Sequence, residues 1–293
     1  MNETITNIDN LSFGNKRKLY IIKIGGNIID DAQKLSSFLK EFAAVEGEKI
    51  LVHGGGKLAT KLAAQLGIKQ QIIEGRRVTD AQTLKIVTMV YAGYINKNMV
   101  AQLQALNCNA IGLCGADGNI IQAHKRLPEN EGGIDYGFVG DVDAVNISLL
   151  KTLLYQNLTI VLAPITQNKE GQLLNINADT IAQETAKALS ALYEVHLIYL
   201  FEKSGVLLDS NDDKTVIPIL DWIYYQQLKL PCKDTGQPKI FAGMIPKLDN
   251  AFAALTSGVK RVVIGKAEEL HQLISGNSGT GIIASPALTD ERP

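Results

Sequence analysis

This 293-residue chain has few of the residues that mark disulfide-rich or metal-binding proteins. It contains three cysteines, and Cys108, Cys114 and Cys232 form no CxxC pair. So few cysteines exclude a disulfide scaffold, argue against a cysteine metal site and favour a reducing compartment. The formal net charge is -1, with 29 basic against 30 acidic residues, so the chain has no general attraction to nucleic acid or to an anionic membrane.

Long apolar runs are also missing. No stretch reaches the roughly 18 apolar residues that a membrane-spanning helix needs. The N-terminal stretch MNETITNIDNLSFGNKRKL lacks the apolar region of a signal peptide. We therefore predict a cytoplasmic protein without a membrane partner.

Short apolar runs are present instead, and amphipathic stretches separate them. Within each run polar and apolar residues do not alternate, which is typical of parallel strands that are buried on both faces. The fold class is therefore predicted as α/β, a three-layer αβα sandwich around a mainly parallel open sheet. Two looser stretches, 116–140 and 203–240, are expected to form hairpins or lids at the ligand edge. The apolar runs are LYIIKI, KILVH, NAIGLC, LTIVLA, VHLIYLF and VKRVVIG.

The domain division follows from the same pattern. Residues 1–18 are mostly polar and are predicted to be an N-terminal extension, either disordered or packed on a partner subunit. Near residue 170, in PITQNKEGQLLNINAD, a strand, a turn and a helix start adjoin. We place there the boundary between two lobes of one continuous sheet, 19–170 and 171–293.

Three glycine turns, KIGGN, HGGGK and GLCGADG, follow predicted strands. Glycine lets backbone N–H groups approach a ligand closely, and a helix start behind such a turn favours an anion. The turns either bind phosphate or serve only as tight connections. HGGGK also fits a loose dinucleotide fingerprint, Gly54-x-Gly56-x-x-Ala59 with Glu74 downstream, which would indicate a NAD-dependent oxidoreductase. No Gly-Lys pair has the GxxxxGK[ST] frame of a P-loop kinase.

Lys23 stands inside an apolar strand, two residues before a double glycine. A buried lysine is costly unless it is paired. Lys23 is therefore either on an edge strand, with its amine in water, or a functional cation at the crevice where open α/β sheets bind ligands. A cation beside free N–H groups suits a phosphoryl group, whereas a nicotinamide dinucleotide needs no such lysine.

Two helix starts in the second half carry polar residues. NINAD places Asn175, Asn177 and Asp179 at one of them, where each is either a cap or a ligand. Lys247 comes early in another helix, where a cation opposes the helix dipole. We therefore expect an anionic group beside Lys247.

Together these motifs resemble the amino-acid kinase family, in the family's order from Leu19 to about Gly281. GRRVTD and LNINAD favour the members that phosphorylate an N-acylated glutamate over glutamate 5-kinase, aspartokinase, carbamate kinase and uridylate kinase. The resemblance implies transfer of the γ-phosphoryl of ATP, which carries Mg²⁺, to the γ-carboxylate of an N-acylglutamate in arginine biosynthesis. The matching stretches are IIKIGGN, LVHGGGK, GRRVTDAQTL, AGYINKNMVAQL, IGLCGADGN, GFVGDV, LNINADTIA and AGMIPKLDNA.

The resemblance also implies roles for individual residues. Lys23 and Lys247 would stabilise the transition state, and Asp179 would hold both lysines. No protein-bound metal is implied. No general base is needed either, because a carboxylate acceptor is already ionised, so His53 is expected to be structural. The acceptor would be bound by Gly55, Gly56, Arg77 and Asn175, and the nucleotide phosphates by Gly25, Gly26 and Gly243.

The assembly expected from the resemblance is a homodimer. Some family members form arginine-inhibited hexamers through an N-terminal helix. TITNIDNLSFGN is a poor helix pattern, because it is rich in β-branched residues and asparagine. We therefore expect a dimer without arginine feedback.

The chain departs from the family pattern at three residues, in two places. Glu202 and Lys203 stand where a turn with aspartate is usual, which leaves the nucleotide contacts there open. Arg76 precedes Arg77 where an apolar residue is usual, and it is either solvated or meets a second carboxylate on a longer acyl group such as succinyl. Two other classes also stay open: the oxidoreductase, and a non-catalytic amino-acid sensor, which would not need both lysines and Asp179.

Overall fold

The computed structural model describes residues 16–284, apart from 74, 129, 131, 210–211, 232–239 and 241–243. Residues 1–15 of the predicted extension, together with Glu74, Cys232 and Gly243, lie outside the described residues. The described strands are β1 (Lys18–Ile24), β2 (Glu48–His53), β3 (Ile72–Ile73), β4 (Arg76–Arg77), β5 (Ala110–Cys114), β6 (Ile121–Lys125), β7 (Gly140–Val145), β8 (Thr159–Ala163), β9 (Ile165–Gln167), β10 (Leu173–Asn175), β11 (Glu194–Phe201), β12 (Ile219–Leu220), β13 (Arg261–Lys266) and β14 (Thr280–Ile282). The described α-helices are α1 (Gly26–Ile29), α2 (Ala32–Ala44), α3 (Gly56–Gln65), α4 (Ala81–Thr88), α5 (Asn96–Ala105), α6 (Ile147–Tyr155), α7 (Ala178–Leu189), α8 (Trp222–Lys229), α9 (Ile245–Thr256) and α10 (Leu270–Ser275).

A mainly parallel sheet lies at the centre of the molecule. Among the described residues its strands have the order β12-β14-β13-β11-β1-β2-β8-β5, and β13 and β14 pair in the antiparallel direction. All six strands predicted from the apolar runs belong to this sheet, which confirms the predicted fold class. Lys23 is in register with Val52 of β2 and Tyr199 of β11. The alternative that Lys23 lies on an edge strand is therefore wrong.

The alternation of side chains along β1 divides the core between the two faces of the sheet. Leu19 and Ile21 pack on the face that carries α7 and α9, whereas Tyr20 and Ile22 pack on the face that carries α2, α3 and α10. Lys23 follows Leu19 and Ile21 in this period of two. Its ammonium group is therefore directed to the layer formed by α7 and α9.

The first looser stretch contributes to a second sheet. β6 and β7 form an antiparallel pair, which β9 and β10 extend to four strands within the described ranges. This agrees with the hairpin predicted in 116–140. A separate short hairpin joins β3 to β4 beside the triple glycine.

The second looser stretch, 203–240, contains an isolated antiparallel bridge between Leu207 and Val216, and it also contains helix α8, which the prediction of hairpins or lids did not include. Asp221 caps this helix by accepting a hydrogen bond from the backbone N–H of Tyr224 at 2.7 Å. The Tyr225 ring stacks on Phe252 of α9, with ring centroids 5.1 Å apart. The helix thus depends on tertiary packing that the local sequence does not reveal.

The triple glycine packs against one long helical stretch. Helix α4, a π-helical segment (Met89–Ile95) and α5 follow one another without a break. A Cβ atom on Gly55 would lie 2.4 Å from Cδ1 of Ile95 and 2.9 Å from Cδ1 of Tyr91. Only glycine fits against the π-helical segment at this position. Within the described residues, every helix is too short or too polar to cross a membrane.

Candidate active site

Three charged side chains from three elements meet at the carboxyl edge of the main sheet. Nζ of Lys23 lies 2.7 Å from Oδ1 of Asp179, and Nζ of Lys247 lies 2.6 Å from Oδ2 of the same carboxylate. The side chains of Lys23 and Asp179 are 11% and 7% exposed, and that of Lys247 is 27% exposed. The two lysines that the resemblance paired are therefore bridged by the predicted carboxylate.

The local sequence explains how Asp179 and Lys247 reach this point. Asn177 caps α7, and its side chain accepts a hydrogen bond from the backbone N–H of Asp179 at 2.9 Å. Lys247 is the third residue of α9, where its charge opposes the helix dipole. The anion expected beside Lys247 is the Asp179 carboxylate.

Burial and the neighbouring charges act together on these groups. Burial alone would raise the pKa of Asp179, but the Lys23 and Lys247 ammonium groups outweigh it and hold that pKa far below its ordinary value. Burial lowers the pKa of Lys23, and repulsion from the Lys247 ammonium group lowers it further. Attraction to the Asp179 carboxylate acts in the opposite direction but does not outweigh these two effects. One carboxylate thus faces two cations, and this cluster still favours a further anion.

The glycine turns that follow β1 and β2 line one cavity together with Lys23 of this cluster. Gly25 and Gly55 are the N-cap residues of α1 and α3, and neither helix start has a side-chain cap. The first backbone N–H groups of a helix have no acceptor within it. They are therefore available to an anionic ligand, together with the N–H groups of Gly26 and Gly56.

A cavity of about 600 Å³ opens beside the cluster, and we call it the acceptor cavity. Lys23, Gly55, Gly56, Arg77 and Asn175 all line it. The structure thus brings together the four predicted acceptor-binding residues and one of the predicted lysines.

Hydrogen bonds hold Arg77 at the wall of the acceptor cavity. Its guanidinium donates to the backbone carbonyl of Gly56 at 2.8 Å and to Oγ1 of Thr60 at 2.9 Å. A further hydrogen bond joins it to the side-chain oxygen of Gln70. On the opposite side, Nδ2 of Asn175 donates to Oγ1 of Thr79 at 3.1 Å. Both predicted ligands are thus held in place by their neighbours.

Positive charge dominates the acceptor cavity. Among the described residues that line it, none carries a carboxylate, and five carry a cation. Arg76 is one of the five. The cations are Lys23, Lys57, Lys61, Arg76 and Arg77.

A second cavity, of about 330 Å³, shares Gly25 and Gly26 with the acceptor cavity, and we call it the nucleotide cavity. Its outer wall is largely apolar, which suits a flat heterocyclic base, and the shared glycines suit phosphates. Glu202 and Lys203, which depart from the family pattern, also line it. Gly243 lies outside the described residues. The apolar wall comprises Ile28, Phe201, Val206, Leu207, Ile240 and Met244.

Several residues around the acceptor cavity were not identified from the sequence. Tyr91 reaches the cavity from the π-helical segment, and no local motif indicates that change of helical register. Thr60 and Lys57 lie on α3 immediately behind the triple glycine. Lys57 follows Gly56 by one position and Thr60 by four, and this spacing could have placed both at the start of that helix.

The sequence profile of the amino acid kinase family matches residues 18–266. A protein of Parabacteroides distasonis named acetylglutamate kinase is 55% identical over 255 residues, which are 87% of this chain and 96% of that protein. A protein of the same name from Cytophaga hutchinsonii is 54% identical over 271 residues, which are 92% of this chain and 100% of that protein.

Solved structures agree with this fold. A Streptococcus mutans protein superposes with a TM-score of 0.70 at 28% identity, covering 90% of this chain and 98% of that one. Carbamate kinase of Giardia lamblia superposes with a TM-score of 0.64 at 15% identity, covering 93% and 99%; this likeness concerns the fold alone. The family predicted from the motifs is thus confirmed. The chain belongs to the amino acid kinase family.

Proposed function

We propose that this protein is an ATP-dependent N-acylglutamate kinase of arginine biosynthesis. It transfers the γ-phosphoryl of ATP to the γ-carboxylate of the acceptor and yields an N-acylglutamyl 5-phosphate and ADP. The observation that carries this proposal is the joint contact of Lys23 and Lys247 with Asp179. Lys23 lines the acceptor cavity, which shares Gly25 and Gly26 with the nucleotide cavity. Relatives at 51–55% identity that are named acetylglutamate kinase support it.

The chemistry needs positive charge more than proton transfer. A glutamate side chain has an ordinary pKa of about 4.3, so the acceptor is already a nucleophile at neutral pH. Its approach to an anionic phosphoryl group is the obstacle, and charge spreads over the phosphoryl oxygens during transfer. Lys23, Lys247 and the turn N–H groups supply preorganised positive potential there. Mg²⁺ arrives with ATP and shields its phosphates.

Each side of the site has a distinct task in this proposal. Arg77 binds the α-carboxylate of the acceptor, and Asn175 binds its acylated nitrogen region. The N–H groups of Gly55 and Gly56 face the γ-carboxylate and the phosphoryl group in transfer. Asp179 keeps both lysines charged and aimed. The nucleotide phosphates are bound by Gly25, Gly26 and Gly243.

The acyl group of the acceptor has two candidates. N-acetylglutamate carries two carboxylates, and N-succinylglutamate carries three. The relatives named acetylglutamate kinase favour N-acetylglutamate. N-succinylglutamate is the alternative, because Arg76 lies beside Arg77 in a cavity whose described charged side chains are all cationic. Turnover of both acceptors by the wild type and by Arg76→Ala decides between them. A selective loss with N-succinylglutamate supports the longer acceptor, and equal losses assign Arg76 no part in acyl selection.

A coupled ADP-release assay tests the kinase proposal. We expect turnover with an N-acylglutamate and little with glutamate or aspartate, whose free amine does not match the site. The assay is run with and without arginine, and we expect no inhibition. Absence of ADP release with either acylglutamate would overturn the proposal. Light scattering of the same preparation tests the proposed homodimer.

A further inference from the structure

His53 is fully buried directly before the triple glycine, yet the proposed chemistry has no use for it as an acid or a base. Its Nδ1 lies 2.8 Å from the backbone carbonyl oxygen of Gly54. Its Nε2 lies 3.2 Å from Nδ2 of Asn96, which is also fully buried. An amide nitrogen only donates, so Nε2 accepts and Nδ1 carries the proton.

The surroundings of Asn96 fix which way its amide faces. Nδ2 also donates to the backbone carbonyl of Val161 at 3.0 Å, and Oδ1 accepts from Nζ of Lys97 at 3.1 Å. A flipped amide would place its oxygen against the Val161 carbonyl and its NH₂ against the Lys97 ammonium. A Cβ atom on Gly112 would lie 2.0 Å from Oδ1, so glycine there leaves room for this side chain. The network therefore specifies one tautomer of His53.

That tautomer constrains the peptide between Gly54 and Gly55. A trans peptide is planar, so its carbonyl oxygen and its N–H point in opposite directions. The Nδ1–H of His53 holds the Gly54 carbonyl towards the core. The N–H of Gly55 is thereby left on the opposite side, and both glycines line the acceptor cavity. Among the described residues no backbone carbonyl accepts a hydrogen bond from this N–H.

We propose that His53 is a positioning residue: it keeps the Gly55 N–H directed at the acceptor carboxylate and the phosphoryl group, and Asn96 fixes the tautomer that does so. This inference rests on the proposed kinase function. Burial lowers the pKa of His53 to about 4, and repulsion from Lys97 contributes to this decrease. The hydrogen bond to the Gly54 carbonyl acts in the opposite direction. The ring is thus neutral under physiological conditions, as the network requires.

Two polar variants of similar size separate the two ring nitrogens. In His53→Asn the amide nitrogen takes the place of Nδ1 and still reaches the Gly54 carbonyl. In His53→Gln the amide takes the place of Nε2 and reaches Asn96 instead. Both variants disturb the buried network and are expected to lose thermal stability. Only His53→Gln removes the hydrogen bond to the Gly54 carbonyl that fixes the orientation of the Gly54–Gly55 peptide.

We expect the two variants to differ in kcat. His53→Gln should lose on the order of 10²-fold, as when one oxyanion donor is removed, with little change in the KM for ATP. His53→Asn should stay within about tenfold of the wild type, and its kcat should follow the wild-type pH profile between about pH 6 and 8. Equal kcat in the two variants would overturn the positioning role. An altered pH profile in His53→Asn would overturn it in favour of acid-base catalysis.

The wild-type assay keeps this test separate from the kinase proposal. If the wild type turns over no N-acylglutamate, the proposed function fails before His53 is examined. If the wild type is active and the variants do not differ, the positioning role alone fails.

Discussion

Lys23 and Lys247 bind opposite oxygens of one carboxylate, although the first lies on the central strand and the second on a helix near the end of the chain. The bridge through Asp179 keeps two ammonium groups together that would otherwise repel each other. Lys23 lines the acceptor cavity together with the glycine turns, and the shared carboxylate keeps Lys247 close to Lys23.

Lys23→Ala and Lys247→Ala should each lower kcat by on the order of 10²- to 10³-fold, because each removes a preorganised charge from the transition state. The ADP-release assay measures this loss. Lys187→Ala is a matched control, since Lys187 pairs with Glu184 on the same helix as Asp179 but away from both cavities. Near-normal turnover in either test variant would count against the assigned roles.

Asp179→Asn should reduce the free energy of unfolding by about 3 kcal/mol near neutral pH, because it leaves two partly buried ammonium groups without their counter-ion. The pKa of Asp179 is lowered in the folded state, so its ion pairs stabilise the protein above the ordinary carboxyl pKa and lose that effect as the pH falls below it. The difference in urea unfolding between wild type and variant should therefore be constant above about pH 5 and should shrink progressively as the pH falls below about 4. A difference that stays constant well below about pH 4 would contradict this account.

Arg77→Ala should raise the KM for the acceptor about 10- to 100-fold and leave the KM for ATP unchanged, because a charged hydrogen-bonding partner of the acceptor is lost. Arg77→Lys should restore little of the affinity for the acceptor. The guanidinium spans Gly56 and Thr60 with two N–H groups, and an ammonium group cannot reproduce that fork. A defect confined to kcat would show that Arg77 has a different role.

Gly55→Ala should abolish most activity and destabilise the fold, because its Cβ would overlap Ile95 and Tyr91. Gly93→Ala is the matched control, because Gly93 lines neither cavity and a Cβ at that position would have no atom within 4 Å. Steady-state kinetics and thermal unfolding of the two variants should diverge clearly. Similar behaviour of both would mean that the close packing under the turn is unimportant.

The sequence predicted the parts of this molecule that depend on local pattern. Apolar runs without alternation located β1 and β2, and a lysine within one of them located the site. Ordered motifs identified the family. The contact between Lys23 and Asp179 could not be derived from local pattern. It depends on side-chain alternation across a sheet whose strand order the sequence does not state.

Other features could not be predicted for identifiable physical reasons. β12 has two residues and β14 three, too few for any periodicity to show. Helix α8 depends on the stacking of Tyr225 with Phe252, which is a contact between distant segments. The tautomer of His53 depends on Asn96, 43 positions away.

The π-helical segment between α4 and α5 has a consequence for where this chain can tolerate a change in length. Each residue of an α-helix turns the chain by about 100°, so deletion of a single residue from Met89–Ile95 would rotate everything after it by that angle. Asn96, which follows the whole segment, would then leave the interior and lose its hydrogen bonds to His53 and to the Val161 carbonyl. Insertions and deletions should therefore be tolerated at the surface turn after α5, but scarcely at all inside this one irregular stretch.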